Sequence, residues 1–314
     1  MGYPATPEFD RIAKAFGWSG DPAKVGDDAA VLPGKQLFCC DALAEGVHFR
    51  LDWSSPADIG WKAVAQNVAD ILAMGGIPTQ AVWSVGMGKD WDDSVFAGLA
   101  KGAKAACKTY GCEIVGGDTV RTQGPGFVSL SLLGRPCGKR VWKRSGARSG
   151  DLIVLAGAPG NSAAGMQALL QGMQDNPTLK PLVAAHRRPR PPFSIATALF
   201  PISVHAAIDL SDGLSSEASH LALASQKALV LDSRKLTIPN RLKQAAAILG
   251  EPDPARWLWH GGEDHALLAV VAPSCEKTLP HGAKVVGRVE EGAGVWIELD
   301  NSRQEMAPLG WVHR

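Results

Sequence analysis

The 314-residue chain has no apolar run approaching the roughly 18 to 20 residues of a membrane-spanning helix; its longest, such as Leu152 to Ala158, are strand-sized. It also lacks a basic-then-apolar leader pattern, which predicts a cytoplasmic protein. Met1-Gly2-Tyr3-Pro4-Ala5-Thr6 fits the myristoylation template only formally, with no basic patch behind it. Neither sign of charge is in excess: 32 Lys+Arg against 31 Asp+Glu leave a net charge of +1, hence no global field for nucleic acid or an anionic membrane. The six cysteines form no CxxC pair and no Cys/His zinc spacing, and they read as small buried hydrophobes. The phosphate-binding motifs are missing too. Gly134 to Arg140 falls one residue short of a Walker A loop and ends in Arg, no GxGxxG follows a strand, and no HRD or DFG set exists. His260-Gly-Gly-Glu263-Asp264-His265 is not HExxH, and Cys107 and Cys112 have no matched His to make a thiol catalyst. No internal repeat is visible.

What is present is a globular composition, 46% hydrophobic and 20% charged, at a length that suggests two domains. The polar, Gly-rich stretch from Lys139 to Asp151 divides them into 1–140 and 141–314. A first helix is predicted over Pro7 to Phe16. The clearest helix runs from Pro56 to Met74, with Ser55 as N-cap, Pro56 at its first position and Gly75-Gly76 as its stop. Its apolar stripe is Trp61, Val64, Ala65, Val68, Ile71 and Leu72, with Lys62, Gln66 and Asp70 on another face. Strands are predicted at Gln36 to Asp41, Ala81 to Met87, Glu113 to Val115, Phe127 to Leu133 and Leu152 to Ala156. A second set is predicted at Leu229 to Asp232, Ala266 to Val271, Lys284 to Val289 and Val295 to Leu299. Helices are predicted over Asp93 to Tyr110, from Ser162 with Asn161 as cap, over Arg241 to Leu249 and over Pro254 to Trp259. The Arg-rich stretch around Arg187, Arg188 and Arg190 reads as a solvated connector. Strands and helices mix without strict alternation, which favours α/β plus α+β domains over a Rossmann sheet.

Twenty of the 31 acids are Asp, a residue that collects in turns, caps and metal-binding loops. Five segments place one after an apolar stretch and beside Gly or at a strand end: Gly26-Asp27-Asp28, Cys40-Asp41, Gly116-Gly117-Asp118-Thr119, Asp209-Leu210-Ser211-Asp212-Gly213 and Gly261-Gly262-Glu263-Asp264. A sixth acid, Asp70, sits inside the long helix, a poor place for an unpaired charge. Singly, each has a bland explanation. Asp-Gly dipeptides make turns, and Asp212 suits an N-cap for a helix starting near Leu214. If the loops meet, however, their carboxylates repel unless cations neutralise them, and the expected ligands are several Mg²⁺ ions and a polyphosphate.

Taken in order, these segments, with Asp41-Ala42-Leu43-Ala44-Glu45-Gly46-Val47-His48-Phe49 and Gly60 to Gly75, resemble the thiamine-monophosphate kinase family of the aminoimidazole ribonucleotide synthetase superfamily. The resemblance runs from about Asp10 to the end of the chain, and Glu45 to Phe49 separates this family from its relatives. It implies an aminoimidazole ribonucleotide synthetase-like fold whose N-terminal α/β domains pair into a β-barrel across a homodimer, followed by an α+β domain. It further implies transfer of the ATP γ-phosphoryl to thiamine monophosphate, giving thiamine diphosphate, with several Mg²⁺. Matching positions assign Asp27, Asp41, Asp70, Asp118, Asp209 and Asp212 to metal, and Asp27, Gly117, Asp118, Arg144 and Ser211 to ATP. His48, Glu263 and Trp311 match positions that contact thiamine monophosphate. The acceptor is already a phosphate anion, so no residue is assigned as general base; neutralising and aligning two polyanions is the main task. The chain departs from the family at Cys39-Cys40, where Ser/Thr is usual, and at Ala42, Val120 and His265-Ala266. Among relatives, selenophosphate synthetases would want a reactive Cys or Gly-rich lead in the first 30 residues, and hydrogenase-maturation proteins a C-terminal Cys where this sequence ends in Arg314. A dimer that binds Mg-ATP without turnover is the reading from another class.

Overall fold

A computed structural model describes residues 15, 26–138, 140–300 and 302–310. Trp311, and the helix expected over Pro7 to Phe16 save Ala15, lie outside them. Each half of the chain builds its own sheet. Strands β1 (Ala30–Val31), β2 (Leu37–Ala44), β3 (Gly76–Met87), β4 (Glu113–Arg121) and β5 (Phe127–Pro136) make the first, in the order β1-β2-β5-β3-β4; only β3–β4 is parallel. Strands β6 (Leu152–Ala156), β7 (Val204–Leu210), β8 (Ala228–Asp232), β9 (Ala266–Val271), β10 (Ala283–Glu290), β11 (Val295–Glu298) and β12 (Arg303–Glu305) make the second. Its order is β12-β11-β8-β10-β6-β9-β7. Among the described residues no helix is long and apolar enough to cross a membrane.

Helix α1 (Pro56–Ala73) forms where the sequence places it. Ser55 and Asp58 make a reciprocal capping box, Pro56 supplies the first turn, and Gly75 at φ 71° takes the left-handed conformation that stops it. The expected polar face is the surprise: Lys62, Gln66 and Asn67 are buried along with the apolar stripe. The reason is position. α1 packs against β2, β3 and β5 on one side and against β7 and β9 on the other, so it is sandwiched between the two sheets. One apolar core runs through this junction, from Leu37 and Leu132 past Val68 to Val154, Ala207 and Leu267.

Helix α2 (Asp93–Tyr110) crosses α1 at close range. A Cβ on Gly60 would lie 2.0 Å from the Leu99 carbonyl oxygen, and one on Gly102 would lie 1.9 Å from that of Ala57. Backbone cannot yield there as a side-chain tip can. Gly102→Ala is therefore expected to destabilise the fold by about 3 kcal/mol or more, the upper end for overpacked cores, read as a lower melting temperature.

Helices α3 (Asn161–Leu170), α4 (Lys180–Arg187), α5 (Phe193–Ala198), α6 (Leu214–Ser225), α7 (Asn240–Leu249) and α8 (Ala255–His260) belong to the second half. Several sequence expectations are corrected here. β4 runs on through Gly116-Gly117-Asp118-Thr119, so Asp118 lies within a strand and not in a loop, and β2, predicted to end at Asp41, runs on to Ala44. The extension of β4 follows from its parallel pairing with β3, a long-range contact that local turn propensity does not reveal. β3 begins early, carrying Pro78 at a register shift where a missing N–H is tolerated. The cap of α3 is Gly160, not Asn161, and that of α6 is Gly213, not Asp212. The Arg-rich connector is not a free solvated segment. Arg188 pairs with Asp58, Arg188 and Arg190 flank the Trp61 ring, and Trp61 Nε1 donates to the Pro189 carbonyl at 2.8 Å.

Candidate active site

β2 alternates, sending Leu37, Cys39 and Leu43 inward, and Asp41 shares that inward face. Opposite it, α1 presents Asp70, and β7 delivers Asp209 one residue before its end. Asp28, just ahead of β1, completes the group with its side chain fully buried. The carboxyls lie within one another's fields. Burial raises Asp28 to about 7 despite the Arg144 guanidinium, and Asp209 adds to the rise. Burial and then Asp209 bring Asp41 to about 6, while a hydrogen bond from Asp70 works the other way. Asp70 is pushed well above the carboxylate range, first by burial and then by Asp41, Asp209 and Asp28.

Two basic side chains face these acids. Arg144 Nε donates to Asp28 Oδ1 at 2.9 Å, and its backbone N–H donates to Asp27 Oδ1 at 2.9 Å, which seats Asp27 beside the group. His265, buried, meets Asp209 Oδ2 through Nδ1 at 3.1 Å. Burial alone would lower this imidazole; the hydrogen bond to Asp209 and that carboxylate's charge raise it instead. Cys39 and Cys40 divide by strand alternation: Cys39 is buried with Sγ 3.5 Å from Asn67 Oδ1, and Cys40 is exposed beside Ser129.

Ser211 and Asp212 follow β7 directly. Glu217, buried one turn into α6, accepts from Asp212 N–H at 2.9 Å and from Ser211 Oγ at 3.4 Å. Gly213 at φ 127° makes the turn, and a Cβ there would strike the His260 carbonyl carbon at 2.7 Å. The amide just ahead of this helix is therefore already occupied by a carboxylate from the helix's own first turns. Asp118 stands apart from the other acids. It is exposed on β4, accepting from the Thr119 N–H at 2.9 Å, with two strands between β4 and β2. Gly117 beside it has a packing role, since a Cβ would lie 2.1 Å from the Trp83 carbonyl oxygen.

A second cluster adjoins the first through one loop. Glu263 and His265 take left-handed φ values of 62° and 50°, rare for residues with a Cβ. The loop is pinned at each residue. Glu263 N–H donates to Ser211 O at 2.6 Å, His265 N–H donates to Leu210 O at 2.9 Å, and Asp264 accepts from Gly160 and Ser162 N–H at 2.6 and 2.8 Å. Asp264 thus caps α3 from a distance. Glu263 meets Lys62 Nζ at 2.7 Å and His186 Nδ1 at 3.3 Å. Burial would raise its carboxyl, but Lys62 and then His186 hold it down to about 2. Burial, then the Lys62 charge, lowers His186 to about 4, so it is neutral near pH 7. His48 completes this side: its Nδ1 accepts from Ala44 N–H at 3.1 Å, which leaves the ring proton on Nε2, and its carbonyl accepts from Lys62 Nζ at 3.0 Å. Glu45, from the same signature, serves the scaffold, accepting from Trp91 Nε1 and Gly126 N–H.

The family described as AIR synthase related protein, N-terminal domain, matches residues 26–135. The Mycobacterium tuberculosis thiamine-monophosphate kinase is 36% identical over 91% of this chain and 85% of its own length. The Aquifex aeolicus enzyme of the same name is 35% identical over 92% of each. The solved structure of AaThiL complexed with AMPPCP and TMP superposes with a TM-score of 0.87, at 33% identity, covering 98% of this chain and 96% of that one. The chain belongs to the thiamine-monophosphate kinase family. Membership makes it a kinase, and the two sheets with their helices are the fold of that family.

Within this family member, the structure assembles Asp41, Asp70 and Asp209, seats Asp27 beside them through Arg144, and ties Glu263 to His48 through Lys62. Sequence reasoning missed Asp28, Lys62, His186, Asp264, His265 and Glu217. Asp28 sat in plain view within Gly26-Asp27-Asp28, and Lys62 carried a signal as the one Lys or Arg in the Pro56–Ala73 helix. Among the described residues no three His, Cys, Asp or Glu side chains are set to hold a metal by themselves. An ion that keeps waters and shares phosphate oxygens needs no such cage; Mg²⁺ takes one or two carboxylates and the substrate's phosphates. The all-oxygen donor set fits it, as does Asp28 Oδ2, which is buried with no hydrogen-bond partner.

Proposed function

We propose that this chain transfers the γ-phosphoryl of ATP to thiamine monophosphate by direct in-line displacement, assisted by several Mg²⁺ ions. The observation that carries the reading is the convergence of Asp28, Asp41, Asp70 and Asp209 from four separate segments into one electrostatic group, next to a loop that carries Glu263. Carboxyls held this high by burial and mutual repulsion are poised to accept cations. Mg²⁺, which Asp27, Asp41, Asp70, Asp209 and Asp212 would hold, would supply charge neutralisation for the phosphates. The chain's own residues do the rest. Arg144 and Ser211, with Gly117 and Asp118, bind the nucleotide; Lys143 and Arg144 flank Asp27. Glu263, ionised, accepts from an N–H donor of the acceptor molecule; His48 offers Nε2–H; Trp311, outside the described residues, is assigned to the acceptor by the family resemblance alone. No side chain is needed as a base, because the attacking oxygen is already anionic.

The reading extends to organisation. We take the chain to divide into two domains at 140/141, a reading supported by the first sheet's last strand ending at Pro136 and the second sheet's first beginning at Leu152, and we assign the kinase to the cytoplasm. β4 is an edge strand exposed along nearly its whole length, with Val115 and Val120 outward, which suits pairing with a second copy into a shared barrel. Such pairing also gives Asp118, remote from the acids of its own chain, a site to serve. Incubation with Mg-ATP and thiamine monophosphate is expected to yield ADP and thiamine diphosphate; ATP binding with no product over a wide range of Mg²⁺ would favour the non-turnover dimer instead. Sedimentation velocity tests the pairing, a monomer at micromolar concentration refuting it.

A further inference from the structure

Lys62 is a buried cation that does not face the acidic group. It rises from the middle of α1 with 3% of its side chain exposed, donating from Nζ to Glu263 Oε1 at 2.7 Å and to the His48 carbonyl at 3.0 Å. Burying an ammonium is costly, and a buried ion pair is weak evidence for stability. What the pair positions is the better explanation. Its two partners lie on opposite sides of the junction, His48 after β2 and Glu263 before β9. They are also the two described residues assigned to the acceptor.

The backbone supports this. Glu263 sits at φ 62°, a conformation that persists only where the surroundings over-determine it. Lys62 on Oε1, His186 on Oε2 and Ser211 O on its N–H fix the residue from three directions. The Glu263 side chain remains 27% exposed, so its outer lone pairs are open to a ligand while the inner ones are engaged.

We propose that Lys62, seconded by His186, is a positioning residue for the phosphate acceptor: it sets the spacing between His48 and Glu263 and holds the Glu263 carboxylate in one orientation toward a ligand N–H. This rests on the acceptor reading given above. It acts through Glu263, so its loss is felt by one substrate.

The test uses the full-length protein and steady-state kinetics with Mg-ATP and thiamine monophosphate for Lys62→Met, Glu263→Gln and the double variant. Lys62→Met is expected to raise the acceptor KM roughly tenfold or more, the scale of one charge-assisted hydrogen bond, while the KM for ATP stays within about twofold. The double variant is expected to be no worse than Glu263→Gln, because the ammonium has nothing left to orient. Equal rises in both KM values, or losses that multiply in the double variant, overturn the proposal. If Lys62→Met does not fold, the double variant, which removes both charges, is compared with Glu263→Gln, and a further rise in acceptor KM is again refuting. A wild-type protein that does not phosphorylate thiamine monophosphate overturns the functional reading and this inference together. An active wild type beside an unaltered Lys62→Met overturns this inference alone.

Discussion

Asp70→Asn is expected to lose turnover by roughly a hundredfold or more, the scale of removing one electrostatic element from a charged transition state, while the metal-free protein melts higher. The two effects have one origin. Asp70 is buried in α1 among Asp41, Asp209 and Asp28, each of which disfavours its charge. Its hydrogen bond to Asp41 requires a shared proton. An Asn amide donates to Asp41 permanently, while its carbonyl can still accept from Cys39 Sγ–H. Removing one repulsive charge without removing volume stabilises the fold, and each 1 kcal/mol gained lifts the melting temperature by about 2–4 °C in a domain of 150–250 residues. On the proposed function, the repulsion is the cost of a site built to take up cations. Calorimetry without Mg²⁺, set beside the kinase assay, checks both arms; a variant that loses turnover and melting temperature in step would mean that Asp70 holds the fold.

Without divalent cations, stability to denaturant is expected to fall as pH rises from 6 to 8, and saturating Mg²⁺ should remove much of that fall. Asp28 and Asp41 keep protons in the folded chain up to about pH 7 and 6, whereas their ordinary value is 3.8. Asp264, raised chiefly by burial to about 7, behaves likewise. Between those limits the folded state holds more protons than the unfolded one, so stability declines with rising pH, by up to about 1.4 kcal/mol per pH unit for each such group. His186 and His220 work in the opposite sense. Burial lowers both from 6.5 to about 4, so their contribution grows with pH across that interval and is complete by its top. The carboxyls therefore dominate above pH 6. Mg²⁺ lowers the acids it touches and leaves Asp264 unchanged, so a residual slope remains. A metal-free protein most stable at pH 8 would contradict this.

How much of this was legible beforehand differs from residue to residue. The α1 cap, Pro56 and the Gly75 stop announced that helix, because capping and φ preferences act within a few residues. Asp209 was placed near a strand end for the same reason: the apolar run before it is local. Asp118 was not placed as well: Gly-Asp chemistry argues for a turn, and the parallel β-ladder that overrides it comes from a partner distant in sequence. The strand predicted as far as Asp41 runs on to Ala44 through its pairing with β5. Lys62 was assigned to a polar helix face because periodicity sees one helix and not the sheet that later covers it.

The amino-acid sequence alone determined the order of the acidic segments, the helix that carries Asp70 and the family to which the chain belongs, since motifs and caps are short-range patterns written residue by residue. Only tertiary structure decided that Asp28 joins the acids, that Asp118 stands apart, and that Lys62 bridges His48 to Glu263. Those facts depend on which surfaces meet across the α1 junction, and burial and Coulomb fields arise only once distant segments are packed together.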